Sequence, residues 1–285
     1  MRKTVLFFIT LCVLCTFCAC NGENTTATTT GPSRPEECQH DLSDATCTQP
    51  SRCTLCNRPF GSMLGHLWSD GSCQRCGRED SLYKKEEGIT RVVCVGDSIT
   101  KGGYWSDRFG GYLSENYEVI GLGVNGATGL AAGIDQGKPL AYIDQEEYEL
   151  SLRYNPDVVV IMLGTNDSKG VNHRKIIEDD GEQYKRDITA IIQAYQALKA
   201  NPTIYLALPP TVYRDKTAES INNENLEATI IPLLLEVAAA TGATVIDTHT
   251  ATANMSECFP DGVHPNADGK AVIAQTVAQA IQVKE

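Results

Sequence analysis

Five short runs of Val, Ile and Leu recur through the last two-thirds of the chain: "RVVCV" (91–95), "YEVIGL" (117–122), "DVVVIML" (157–163), "TIYLAL" (203–208) and "ATVID" (243–247). Stretches with helical spacing separate them. In 184–200, Ile188, Ile191, Ile192 and Tyr195 fall on one face; 222–242 is a second stretch, stopped by Gly242, and 264–282 is the last. Near-continuous apolar strands suit a parallel sheet buried on both faces, and alternation with helices supplies the cover. The expected fold is therefore α/β: a flavodoxin-like three-layer sandwich with a five-stranded parallel sheet over residues 89–285. The 285-residue chain is long enough for that core plus a small appendage.

In such a sheet, ligands bind at the carboxyl ends of the strands. The polar, glycine-bearing motifs fall there. "GDSIT" (96–100) follows the first run, "GVNGATG" (123–129) the second and "GTND" (164–167) the third, while "DGVHPN" (261–266) precedes the last helix. Four such loops on one rim are hard to explain as packing.

A serine hydroxyl is a poor nucleophile until a base takes its proton. Ser98 can be that serine and His264 that base. Asp261, three residues earlier, can orient the imidazole and balance its charge. The Ser98 amide, the Gly126 amide and the Asn166 side chain can serve as three donors to a developing oxyanion. A lone Ser98 could equally be a helix cap; His264 and Asn166 weigh against that. Asp97 reads as a turn former and Asp167 as the organiser of its own loop. His249 reads as structural, His173 as part of an exposed insertion, Cys94 as a small buried hydrophobe, and Cys258 has no role.

These blocks resemble the SGNH hydrolases, the GDSL-like esterases and acylhydrolases, over residues 91–282. The resemblance implies Ser98 as nucleophile, Asp261 and His264 as its partners, and Ser98, Gly126 and Asn166 as the oxyanion hole. It implies no catalytic cofactor. "LPPTVYRDKTAESINNENL" (208–226) and "FPDGVHPNADGKAVIA" (259–274) look most like the secreted carbohydrate-acetylesterase branch. No long apolar lid is visible, so a short acyl group, O-acetyl on a sugar, is the expected substrate. The alternatives are a lysophospholipase- or thioesterase-type acylhydrolase, or a non-catalytic surface-binding protein on a hydrolase scaffold. Nucleic acid is excluded as a partner by the net charge of -12.

Residues 1–20 carry two positive charges, a short apolar run and small residues, the pattern of a secretion signal. Its end resembles a bacterial lipoprotein signal with Cys20 as the lipidated residue; plain cleavage and release is the other reading. Either places the protein outside the cytoplasm, secreted or on the cell surface, with membrane contact only through a lipid on Cys20. Residues 21–37 are rich in Thr, Gly, Pro and Glu and read as a flexible linker.

Residues 38–80 form a small Cys/His-rich N-terminal module with two Cys-x-x-Cys pairs and an echo, "HDLSDATC" (40–47) and "HLWSDGSC" (66–73). The segment is too polar to fold by burial and needs staples. Cys38, His40, Cys47, Cys53, Cys56, His66, Cys73 and Cys76 are candidate zinc ligands of a zinc-ribbon-like module, enough for one site or two. Disulfides are the competing reading in an oxidising compartment, though they would not call for His40 and His66. The module's role reads as a spacer, with Trp68 as the aromatic to suspect in any partner contact. Metal removal is expected to unfold residues 38–80 and leave hydrolysis nearly unchanged.

Overall fold

The computed structural model describes residues 39–101, 105–214, 217 and 219–282. Residues 1–38, which hold the expected signal peptide, Cys20, the expected linker and Cys38, lie outside the described residues. The chain divides into two compact units, Met1–Met63 and Leu64–Glu285. Residues 64–80, read from sequence with the Cys/His module, thus lie in the unit that carries the sheet.

That sheet has five strands: β1 (Thr90–Gly96), β2 (Tyr117–Gly123), β3 (Val158–Met162), β4 (Thr203–Ala207) and β5 (Thr244–Ile246). Their order is β5-β4-β3-β1-β2, and all four neighbouring pairs are parallel. The architecture is the α/β three-layer one. Val92, Val93, Cys94 and Val95 of β1 and Val159, Val160, Ile161 and Met162 of β3 are fully buried, as strands covered on both faces must be.

Helices supply the cover: α1 (Trp105–Phe109), α2 (Glu146–Arg153), α3 (Gly170–Ile177), α4 (Glu182–Gln196), α5 (Ile231–Thr241) and α6 (Ala267–Gln282). α1 packs on α6, and α4 packs on α5. Along α4, Tyr184, Ile188, Ile191, Ile192 and Tyr195 are buried, the stripe that a 3.6-residue period places on one face. α5 is preceded by a π-helical turn, Leu226–Ile230. Pro232 explains it: proline has no N–H to donate and its ring crowds the carbonyl one turn back, so the chain widens by a residue into an underwound turn before α5. Among the described residues no helix is long and apolar enough to cross a membrane.

The start of β1 is anchored by Arg91, only 3% exposed. Its guanidinium donates to Glu118 Oε2 and to the carbonyls of Leu82, Lys84 and Tyr154 at 2.6–2.8 Å. Residues 82–84 are thereby tied to the N-terminal edge of the sheet, opposite the rim where the polar loops gather.

In the first unit, Ser51–Arg52 pairs antiparallel with Pro59–Phe60, and Leu42 bridges to Cys53.

Candidate active site

The order β2-β1-β3 puts the topological switch beside β1, where a cleft opens past the strand ends. "GDSIT" turns sharply there. The Asp97 carbonyl accepts from the Thr100 and Lys101 N–H groups at 3.1 Å, and its carboxylate accepts from the Ile99 N–H at 2.9 Å. Ser98 sits at the tip of this turn. Asp97 is the turn former the sequence suggested. It is completely buried, and that burial pushes its pKa up to about 6 against the Ile99 hydrogen bond.

Ser98 Oγ lies 2.8 Å from His264 Nε2, and His264 Nδ1 lies 2.7 Å from Asp261 Oδ2. The other Asp261 oxygen accepts the backbone N–H groups of His264 (2.7 Å) and Val263 (2.9 Å). Partial burial works to raise the Asp261 pKa, but these three donors outweigh it and hold the carboxyl at about 2. Asp261 is therefore ionised at any pH near neutral. The loop stays non-helical up to α6 because Asn266 Oδ1 takes the N–H groups of Asp268 and Gly269, an N-cap.

Gly126 and Asn166 face the same cleft, which measures about 400 Å³ and is also lined by Asn125, Asp135, Gln136, Lys169, Arg214 and Ile221. Gly126 has φ +78°, and a Cβ there would come within 2.5 Å of Asp135 Oδ2, so any side chain would be both strained and crowded. Neither the Ser98 nor the Gly126 N–H finds an acceptor among the described residues. Asn166 donates one amide hydrogen to the Ala127 carbonyl at 3.1 Å, which leaves its second for a ligand. The structure thus brings together all five residues read from sequence, four of them lining the cleft and Asp261 bonded to His264 behind it.

Asp167 holds more than its own loop. It is fully buried, and its two oxygens accept the Gly129 and Leu130 N–H groups at 2.9 Å each. It therefore locks the second block against the third. Burial pushes its pKa up to about 6, against those two donors. Asp167→Ala would leave two buried N–H groups unpaired, so it is expected to cost about 2–4 kcal/mol of stability. Urea unfolding measures this; a loss under about 1 kcal/mol would contradict the locking role.

Sequence reasoning missed Asn172, which is buried and donates to the Asn166 and Ile134 carbonyls at 2.9 Å while accepting the Ile134 N–H. It also missed the Lys169–Asp135 ion pair (2.5 Å) in the cleft wall and Arg214, whose Nε donates to the Asp261 carbonyl at 3.3 Å. Lys169 lies just past "GTND", the one local signal available. His173 corrects a sequence expectation: it is half-buried on α3, with Nε2 3.0 Å from Thr229 Oγ1, rather than on an exposed insertion. His249 is bound to the Pro209 carbonyl and Glu227, outside the cleft. Cys94 is buried on β1, and Cys258 is buried too.

Of the candidate metal ligands, His40, Cys53 and Cys56 come together in the first unit. His66, Cys73 and Cys76 come together in the second. Cys47 is buried.

Residues 94–272 match the GDSL-like lipase/acylhydrolase family, and the chain belongs to that family, the SGNH class of carboxylic ester hydrolases. It is 32% identical over 229 residues to an acetylxylan esterase of Xylanibacter ruminicola; the match takes in 71% of this chain and 45% of that protein, so the chain spans under half of its relative's length. Among solved structures, an acetylxylan esterase from Geobacillus stearothermophilus shares the fold (TM-score 0.52, 17% identity, 69% of this chain and 96% of that one). So does a carbohydrate acetylesterase from Sinorhizobium meliloti (TM-score 0.51, 18% identity, 69% of this chain and all of that one).

Proposed function

We propose that the protein hydrolyses short-chain acyl esters, O-acetyl groups on carbohydrate above all, with Ser98 as nucleophile. The observation that carries this reading is the unbroken hydrogen-bonded chain Ser98–His264–Asp261 opening onto a cleft lined mainly by polar groups. His264 Nε2 takes the Ser98 proton as Oγ bonds to the acetyl carbonyl carbon. The carbonyl oxygen becomes an oxyanion within reach of the Ser98 and Gly126 N–H groups and Asn166 Nδ2. The tetrahedral species collapses, the bond to the sugar oxygen breaks, and His264 returns the proton to that oxygen. Water then attacks the acetyl-serine by the same route, with His264 again as base. Asp261 stays ionised throughout and keeps Nδ1 protonated.

The relatives that act on acetylated xylan or carbohydrate support the choice of acyl group. So does the wall of the cleft: Asn125, Gln136, the Lys169–Asp135 pair and Arg214 suit sugar hydroxyls better than an alkyl tail. The expected leader, in turn, suits a polymeric substrate met outside the cytoplasm.

On a series of para-nitrophenyl esters, the acetyl ester is expected to be cleaved at least about tenfold more efficiently, by kcat/KM, than the octanoyl ester, because longer chains gain no apolar surface to bury. A preference for octanoyl would place the protein among the lipases. No turnover of any ester would leave it a binding protein.

A further inference from the structure

The Cys/His segment holds the same small construction twice. In the first unit, Cys53 N–H donates to the Arg58 carbonyl (2.9 Å), the Asn57 N–H returns to the Cys53 carbonyl (2.8 Å), and the Cys56 N–H points at Cys53 Sγ (3.4 Å). In the second, Cys73 N–H donates to the Arg78 carbonyl (2.8 Å), the Gly77 N–H returns to the Cys73 carbonyl (2.8 Å), and the Arg75 N–H points at Cys73 Sγ (3.4 Å). The residue after each second cysteine is left-handed, Asn57 at φ +58° and Gly77 at φ +71°. This turn folds both sulfurs of a Cys-x-x-Cys pair toward one point. A histidine then closes on that point: His40 Nδ1 is 3.5 Å from Cys56 Sγ, and His66 Nδ1 is 3.5 Å from Cys76 Sγ.

That distance is informative. Zinc bonds of about 2.3 Å to sulfur and about 2.0 Å to nitrogen, at a tetrahedral angle, separate the two ligand atoms by about 3.5 Å. All three ligand atoms of each set lie within 4.8 Å of one another. The same grouping of three ligand atoms thus occurs twice, in segments too polar to fold by burial of their own side chains.

The second set is also tied into the catalytic unit. The Trp68 ring stacks on His66 (centroids 4.5 Å apart, planes at 29°), and the Arg153 guanidinium lies 4.8 Å from the Trp68 centroid. Arg153 ends α2 and forms a two-pronged ion pair with Asp80 at 2.7 and 2.9 Å. Asp80, 2% exposed, closes the loop by donating its N–H to the Gly71 carbonyl. His66, Trp68, Arg153 and Asp80 thus form one stack between the Cys/His turn and a helix that covers the sheet.

We propose that His40, Cys53 and Cys56 hold one zinc ion and His66, Cys73 and Cys76 a second, and that the second ion is a structural part of the catalytic unit. A fourth ligand, thiolate or water, completes each tetrahedron. Binding such an ion stabilises whatever folds around it. The ligands of the first ion all lie in the first unit. The second supports the stack under α2, and its ligands are not among the residues that line the Ser98 cleft. Its removal should therefore lower the temperature at which ester hydrolysis is lost without changing the rate at 25 °C, a refinement of the sequence expectation that hydrolysis is indifferent to the metal.

The test uses the full chain prepared without chelator. Elemental analysis should give two zinc ions per chain, and one in each of His40→Ala and His66→Ala. The midpoint of thermal inactivation should fall by about 5 °C or more in His66→Ala and stay within about 1 °C in His40→Ala. Should His66→Ala fail to fold, chelation of the unsubstituted chain gives the same reading: zinc lost and the midpoint lowered, with the 25 °C rate kept. Metal-free protein, with these cysteines as reactive thiols or as disulfides, overturns the proposal. So does a bound second ion whose loss leaves the midpoint where it was.

Discussion

Ser98→Ala is expected to slow hydrolysis of para-nitrophenyl acetate by roughly 10⁴-fold or more while the protein unfolds at the same temperature. Among the described residues the Ser98 hydroxyl is hydrogen-bonded to His264 alone, and the turn around it is held by Asp97. Alanine therefore fits the same backbone. What disappears is the oxygen that, on the proposed reading, forms the acyl bond. The residual rate would come from water placed by His264 and the oxyanion donors. Near-normal turnover in this variant, with fold intact, would mean that the chemistry runs elsewhere.

The second large effect is at Asn166. Asn166 lines the cleft, is buried, and has an amide hydrogen beyond the one given to Ala127, so a hydrogen bond to the proposed oxyanion would form in a poorly screened place. Asn166→Ala is expected to lower kcat by about 10²- to 10³-fold with little change in KM, since the donor acts on the transition state and not on the neutral ester. The backbone link from Asn172 to the residue-166 carbonyl survives the substitution. Asn166→Asp should lose at least as much, because a carboxylate repels an oxyanion. A kcat change under about threefold in both would remove Asn166 from the oxyanion hole.

Much of this was readable in the sequence because it is local. Each of the five Val- and Ile-rich runs became a strand within a residue or two, since a fully apolar run of that length can satisfy itself only inside a covered sheet. The stripe Ile188, Ile191, Ile192, Tyr195 became the buried face of α4. Ser98, Gly126, Asn166, Asp261 and His264 could be grouped because the strand ends of a parallel sheet converge, so order along the chain implies nearness in space. Other features depend on pairings between distant segments. Asn172 looks like any polar residue of a short helix until the fold sets it against Asn166 and Ile134. The Asp135–Lys169 pair joins two loops, and nothing local distinguishes either residue. The stretch 222–242 read as one helix, and Pro232 divides it into a π turn and α5. The edge of the Cys/His segment was obscured for a similar reason. Its composition runs unbroken to residue 80, whereas the compact units part at Met63, because Trp68 and Asp80 find their partner on α2.

The most direct test is acetate release from acetylated xylan by the unsubstituted chain, with the Ser98→Ala protein alongside. Steady release is expected from the first and, from the second, a rate lower by roughly 10⁴-fold or more. Absence of acetate from the unsubstituted chain, or equal release by both, would contradict the proposed function.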